Sequence, residues 1–160
     1  MRIENGELRI MSNSIQEKSF RFAVRIVKLC RYLQAEKKEY VLSKQLLRSG
    51  TSIGANVSES QQAQSRPDFV SKLSIALKET SETEYWLRLL YATDYLSDKY
   101  FESIWADCDE VKSLLVSIVK SSKKIILNSQ LSILNYKNRE VFLCYITFPG
   151  RLPCWSRVWP

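Results

Sequence analysis

Between Met11 and Lys124 the chain contains only two glycines, Gly50 and Gly54, and one proline, Pro67. A stretch with so few residues that break helices or form tight turns argues against a sheet protein with many turns. The 160-residue chain is 45% apolar, which is enough for one domain with a real core. The composition therefore predicts helices joined by short connections.

The two glycines lie within Arg48–Asn56, which is flanked on both sides by residues that favour a helix. A glycine inside a helix costs roughly 1 kcal/mol relative to alanine, so two of them indicate a close approach of another helix or subunit. A phosphate-binding loop is the alternative, but no Gly-Lys-Ser/Thr follows and no strand precedes. Arg48 remains a candidate ligand contact. The predicted packing and oligomer interface residues are Ser49, Gly50, Ile53, Gly54 and Asn56.

Apolar residues recur at helical spacing in four segments. Helix one is predicted over Ile15–Glu36, behind a capping box formed by Ser14 and Glu17. Helix two follows a break at residues 36–39 and runs to about Gln64. Helix three starts at Ser65-Arg-Pro-Asp68, and helix four starts at Ser97-Asp98 and fades at residues 121–124. The expected fold is an all-α, antiparallel up-down-up-down four-helix bundle over residues 14–124.

The two ends differ from this middle part. Residues 1–13 are expected to be an unstructured extension, and residues 125–160 an atypical tail. The codons of residues 3–10 and 128–135 can be reverse complements of one another at all eight positions. This relation suggests a translated inverted repeat, with the tail arising by readthrough. The alternative is that both are ordinary peptide segments with their own helical or strand roles, and the DNA sequence would decide between the two.

Histidine is absent from the sequence. Its absence removes the usual Ser-His and Cys-His nucleophiles and most zinc sites. The four cysteines form no Cys-x-x-Cys pair, and Glu79, Glu82 and Glu84 suit a charged outer helix face better than catalysis. We therefore expect no enzymatic activity, no metal and no cofactor. With neither a signal peptide nor an apolar run of about 18 residues, we expect a cytoplasmic protein without a membrane partner.

Positive charge follows helix one at steps of three and four residues. This basic stripe and two cations of helix two predict a surface that holds phosphates without reading sequence. A solvated amphipathic face is the alternative. The candidate nucleic-acid-binding residues are Lys18, Arg21, Arg25, Lys28, Arg31, Lys44 and Arg48, with Lys37 and Lys38 extending the charge. Tyr32 and Tyr40 are candidates for base stacking, although aromatic residues at helical spacing are more often packing residues.

The region from Glu17 to Lys124 resembles the four-helix bundle proteins named for the intervening sequences of bacterial 23S ribosomal RNA. The segments that carry the resemblance are Glu17–Phe20, Val24–Leu29, Leu42–Asn56, Phe69–Glu79 and Glu84–Leu87. The resemblance implies a helical bundle that assembles as a ring-like homopentamer. The family is similar to accessory proteins of diversity-generating retroelements, which bind nucleic acid and a reverse transcriptase, and some members carry a ribosomal-protein label. The implied partners are therefore a second copy, nucleic acid, and a reverse transcriptase or ribosomal component. A structural adaptor that docks a protein without nucleic acid is the alternative.

Overall fold

Four α-helices make up the regular structure of residues 2–147. A computed structural model describes the backbone over this range and the side chains of residues 14–128. The helices are α1 (Arg2–Ala35), α2 (Leu42–Ser60), α3 (Arg66–Ala92) and α4 (Asp98–Thr147). The predicted all-α fold class is confirmed.

Neighbouring helices run antiparallel, and α4 lies against both α3 and α1. Along each pair of neighbours, residue numbers rise on one helix as they fall on the other, which closes the four helices into a bundle. The contacts that define the pairs are Ile26 with Gly50 and Cys30 with Ser43 for α1 and α2, Ser49 with Thr83 and Glu59 with Lys72 for α2 and α3, Glu84 with Lys112 and Tyr91 with Phe101 for α3 and α4, and Lys18 with Glu110 and Arg25 with Asp107 for α1 and α4.

The core consists of the apolar stripes that the sequence predicts. In α3 the stripe begins with Val70, which is buried, whereas the neighbouring Phe69 is half-buried. In α4, Phe101 is half-buried and stacks on Tyr91 at the edge of the core. The largest fully buried side chains are Ile15, Phe22, Ile26, Leu29, Leu33, Leu46, Ile53, Leu73, Leu87, Leu90, Ile104 and Leu115.

The start of α3 follows the predicted capping signal. The Ser65 hydroxyl accepts a hydrogen bond from the Asp68 backbone N–H at 3.3 Å, and Pro67 lies in the first turn. Pro67 is tolerated there because the first turn needs no backbone donor at that position. This boundary is confirmed.

Three other boundaries differ from the sequence analysis. The first helix begins at Arg2 rather than Ile15, so it includes residues assigned to an unstructured extension and places Ser14 inside the helix instead of at its cap. The second ends at Ser60 instead of Gln64, where the backbone turns tightly. The fourth continues past residue 124 to Thr147. Residues 121–147 contain no glycine or proline, and Gly6 is the only such residue before Met11, so little in either segment interrupts a helix.

The backbone divides into two compact units, residues 1–123 and residues 124–160. The first unit contains α1 to α3 and the part of α4 that packs with them. The second unit begins at Lys124, and the part of it that the structure describes is the helix up to Thr147. The remainder of the tail, residues 148–160, lies outside the described residues.

Candidate nucleic-acid interface

The basic stripe of α1 is divided between two environments. The Arg25 guanidinium lies 2.5 Å from the Asp107 carboxylate and also donates to the Ser103 carbonyl at 3.1 Å and the Ser103 hydroxyl at 3.0 Å. One heptad earlier, the Lys18 ammonium pairs with Glu110. The flank of α1 that carries Lys18 and Arg25 therefore faces acidic residues of α4, and these two cations join helices within the bundle.

The other five candidate cations are exposed. Arg21, Lys28 and Arg31 project from α1, and Lys44 and Arg48 project from α2 on the side away from the core. Within the described part of the chain, none of the five has an ion-pair partner. These side chains are the part of the predicted surface that remains available to phosphates.

The net positive charge is concentrated where α1 leads into α2. Residues 11–124 contain 18 Lys/Arg and 14 Asp/Glu, and residues 28–48 account for six of these cations and two of these acids. The remainder of residues 11–124 therefore contains twelve of each and is neutral overall. We call residues 28–48 the basic corner.

One of the two acids in the basic corner is used internally. The Glu39 side chain is 7% exposed, and its carboxylate accepts hydrogen bonds from the backbone N–H groups of Val41 (2.8 Å), Leu42 (2.7 Å) and Ser43 (2.6 Å). Burial by itself would raise the pKa of Glu39, but hydrogen bonds from these backbone groups and from Ser43 outweigh it and lower that pKa. Glu39 lies in the predicted break at residues 36–39, so the sequence analysis did not identify it as a cap. The signal that could have indicated the cap is a carboxylate, that of Glu39, three residues before Leu42, where the apolar pattern of the second helix begins.

The connection between the two helices is also fixed by its backbone. The Glu39 N–H donates to the Leu33 carbonyl at 3.0 Å across a left-handed Lys38, whose φ is 54°. The Lys38 ammonium donates to the Ala35 carbonyl at 2.8 Å at the end of α1. These hydrogen bonds fix the backbone conformation of the connection and satisfy carbonyl groups at the carboxyl end of α1.

The predicted packing residues of α2 have separate roles. Gly50 faces Ile26 of α1, and a β-carbon on Gly50 would lie 2.8 Å from Ile26 Cγ2. Ser49 accepts a hydrogen bond from the Thr83 hydroxyl at 3.0 Å across to α3, and Ile53 is fully buried. Asn56 donates to the Ser52 carbonyl of its own helix at 2.9 Å. The contacts described for these four residues lie within one copy of the chain.

Gly54 differs from these four because it lines an open groove between α1 and α2. A β-carbon at Gly54 would lie 3.6 Å from the Ser19 carbonyl oxygen, which is an ordinary contact distance. Beside it, Phe20 is 68% exposed. The groove has a volume of about 390 Å³ and is lined by Gln16, Ser19, Phe20, Ala23, Thr51, Gly54, Ala55 and Ser58.

Two carboxylates of α3, those of Glu82 and Glu84, contact neighbouring side chains. Glu84 pairs with Lys112 of α4 at 2.5 Å, and Glu82 accepts from the Trp86 ring N–H at 3.2 Å. The Trp86 ring packs edge-on against Tyr85.

Across the residues that the structure describes, no group of three or more His, Cys, Asp or Glu side chains is placed to hold a metal ion. Nor does any described helix have the length and apolar character needed to cross a membrane.

Comparisons with known proteins agree with this architecture. The profile of the 23S rRNA-intervening sequence protein family matches residues 11–117. The chain is also similar to a protein of unknown function from the S23 ribosomal protein family of Bacteroides thetaiotaomicron, known from a crystal structure at 1.70 Å. The two are 57% identical with a TM-score of 0.68, and the match covers 69% of this chain and 98% of that one. No curated protein matches the sequence. A family match over residues 11–117 spans well over half of the chain, so the chain belongs to the 23S rRNA-intervening sequence protein family.

Proposed function

We propose that this protein is a non-enzymatic, homo-oligomeric, cytoplasmic four-helix bundle that binds RNA or another nucleic acid without sequence specificity. The observation that carries the proposal is the basic corner, which contains the net positive charge of residues 11–124. Clustered Lys and Arg side chains are the electrostatic footprint of phosphate binding. The family name and the ribosomal name of the Bacteroides relative support an RNA ligand. The absence of histidine supports a binding role over a catalytic one.

The proposed phosphate-contacting residues are fewer than the seven candidate residues that the sequence predicts. Lys18 and Arg25 already neutralise acids of α4, whereas the five exposed cations are free to replace counterions on a phosphate backbone. Flexible, exposed Lys and Arg side chains contact phosphates but give no direct reading of base sequence. The proposed contact residues are Arg21, Lys28, Arg31, Lys44 and Arg48.

Charge reversal tests this assignment. We expect the variant Arg31→Glu, Lys44→Glu, Arg48→Glu to lose binding to a fluorescently labelled structured RNA, measured by anisotropy at 50 and 200 mM salt. The wild-type affinity should fall steeply between these concentrations, because bound counterions are released on association. The matched control is Lys78→Glu, Arg88→Glu, Lys120→Glu, which changes the charge equally at exposed positions of α3 and α4. Equal loss in both variants would show that only net charge matters and that the basic corner is not the site.

The groove beside Phe20 supports the self-association part of the proposal. Its lining of small side chains allows a second copy to approach the backbone of α1 and α2 closely, and the exposed Phe20 ring offers apolar area to bury. Assembly into a ring, with a pentamer as the proposed state, would repeat the basic corner and enlarge its positive field. Both effects would strengthen binding to a long polyanion.

Filling the groove tests self-association separately from folding. We expect Gly54→Leu to remain helical by circular dichroism but to show a lower mass by light scattering. Ser71→Leu, at an exposed position of α3, is the control and should keep the wild-type mass. A Gly54→Leu variant with unchanged mass would remove the groove from the assembly interface.

The exposed Phe20 also favours the alternative function, an adaptor that docks a protein without nucleic acid. A reverse transcriptase or a ribosomal component is the partner class to test. An affinity capture that recovers one protein after nuclease treatment, and loses it in Phe20→Ser, would favour this adaptor function over the nucleic-acid-binding function.

A further inference from the structure

Two tyrosines with exposed rings flank the connection in the basic corner. Tyr32 is 47% exposed near the end of α1, and Tyr40 is 52% exposed just before α2. In the part of the chain that the structure describes, neither side chain makes a ring contact or a hydrogen bond. Both rings are therefore open to a ligand, in contrast to the packing role expected of aromatic residues at helical spacing.

The fold places these two tyrosines close together. Tyr32 precedes Leu33 and Tyr40 follows Glu39, and the Glu39 N–H is hydrogen-bonded to the Leu33 carbonyl at 3.0 Å. Following the chain through this bond, the two Cα atoms can be at most about 15 Å apart. Two exposed aromatic side chains whose Cα atoms lie this close together can contact a short run of consecutive nucleotides.

Positive charge surrounds the pair. Arg31 is adjacent to Tyr32, while Lys37 and Lys44 lie three and four residues from Tyr40, and all three are exposed. Glu36 is the one exposed acid in the basic corner, because Glu39 is buried as the cap of α2. Open aromatic rings set among unpaired cations are how proteins bind single strands, with the rings stacking on bases and the cations holding phosphates.

We propose that the basic corner binds single-stranded nucleic acid and that unpaired bases stack on Tyr32 and Tyr40. This inference rests on the proposed nucleic-acid function and assigns its ligand class. A base inside a duplex is already stacked on its neighbours, so the two rings add binding only where bases are unpaired. The corner therefore prefers single strands, loops and overhangs to a duplex of the same sequence.

A tyrosine elsewhere in the bundle provides a matched control. Tyr85 on α3 is 59% exposed, but its ring packs edge-on against Trp86 at a centroid distance of 4.9 Å. Glu82 and Glu84 lie beside it in the sequence, which disfavours a phosphate backbone. Replacing Tyr85 removes an exposed ring without changing the basic corner.

The experiment compares labelled 20-nucleotide RNA as a single strand and as a duplex, with the matching DNA oligonucleotides as further arms. Wild type is compared with Tyr32→Leu, Tyr40→Leu, Tyr85→Leu and the conservative pair Tyr32→Phe and Tyr40→Phe. We expect each of the first two leucine variants to weaken single-strand binding by at least about fivefold and to leave duplex binding unchanged. The phenylalanine variants should keep the wild-type affinity, because they retain the stacking ring, and Tyr85→Leu should behave as wild type.

The outcomes separate this inference from the proposed function. Equal binding of single strand and duplex, with no effect of the leucine substitutions but strong salt dependence, would overturn base stacking and leave the phosphate-binding function intact. Absence of salt-dependent binding to every oligonucleotide in the wild type would overturn both. The RNA and DNA arms show which sugar the corner accepts, and stacking predicts the same leucine effect in whichever arm binds.

Discussion

A β-carbon at Gly50 would lie 2.8 Å from Ile26 Cγ2, so α1 and α2 are too close at this level for any side chain. Isoleucine has few allowed χ1 rotamers in a helix, and Ile26 is fully buried, so its side chain has little room to move. We expect Gly50→Ala to lower the free energy of unfolding by about 1–2 kcal/mol, because overpacking outweighs the gain in helix propensity.

Gly54→Ala is the paired substitution. Its β-carbon would meet nothing closer than the Ser19 carbonyl oxygen at 3.6 Å, so the propensity gain should raise the free energy of unfolding by up to about 1 kcal/mol. Urea unfolding of both variants checks the contrast. Equal stability of the two would mean that Ile26 moves aside and that the approach at Gly50 is not a constraint.

Because some cations of the basic stripe pair with α4 and others are exposed, we expect their substitution to affect stability and RNA affinity differently. Arg25→Ala should lower the free energy of unfolding by about 1 kcal/mol, because it removes a partly exposed pair with Asp107 and the hydrogen bonds to Ser103. Its effect on RNA affinity should be small. Arg31→Ala should do the opposite, with weaker RNA binding and a change in stability within about 0.5 kcal/mol. Thermal unfolding and anisotropy on the same samples measure both, and a loss of affinity in Arg25→Ala equal to that in Arg31→Ala would contradict the division.

The buried Glu39 cap predicts a pH-dependent contribution to stability. Its pKa is lowered in the folded state, so the contribution is complete above the unfolded value of about 4.3 and is lost as the pH falls through the folded value. Glu39→Gln should lower the free energy of unfolding at pH 7 by about 1–2 kcal/mol, and the gap to wild type should narrow below pH 4.

Urea titrations at pH 7 and pH 3 measure this difference, with Glu36→Gln as the control. Glu36 is exposed and lies next to the same turn, so its substitution should change stability by less than about 0.5 kcal/mol. A gap for Glu39→Gln that stays constant with pH would mean that the charge of the cap contributes nothing.

Cys30 and Cys108, the buried cysteines among residues 14–128, should be unreactive in the folded bundle. Burial, followed by the charge of Glu39, raises the pKa of Cys30 to about 12, and burial likewise raises the pKa of Cys108 to about 12. Because only the thiolate reacts, a Cys144→Ser, Cys154→Ser variant should resist a thiol reagent at pH 8 until it unfolds. Absorbance after addition of Ellman's reagent, with and without urea, measures this. Rapid labelling without urea would show that the interior opens readily.

The four helices follow from sequence because their apolar stripes and the Ser65 cap are local signals. The start of α1 and the end of α4 could not be predicted from such local signals. Ser14 and Glu17 have the spacing of a capping box but lie inside a continuous helix, because a single glycine, Gly6, does not interrupt the helix that precedes them. A cap motif permits a helix to start and does not require it.

The sequence predicts only part of the candidate nucleic-acid interface, because the positions of its side chains depend on how the helices pack. Helical spacing shows that Lys18, Arg21, Arg25 and Lys28 follow one side of α1, but it does not show which flank α4 covers. That choice depends on tertiary packing, which turns Lys18 and Arg25 toward acids from a distant part of the chain. The same limit applies to Gly50 and Gly54, which lie four residues apart on one helix but have different neighbours in space.

The carboxylate of Glu39 already occupies the amino end of α2, where a free helix would offer its backbone N–H groups to an anion. A phosphate arriving at this end of the bundle meets side-chain cations instead of a rigid backbone cradle. Side chains of this kind respond to the charge density of a ligand more than to the geometry of one phosphate group. Sulfated polysaccharides such as heparin should therefore compete with RNA for this surface, and a heparin column should retain the protein until moderate salt.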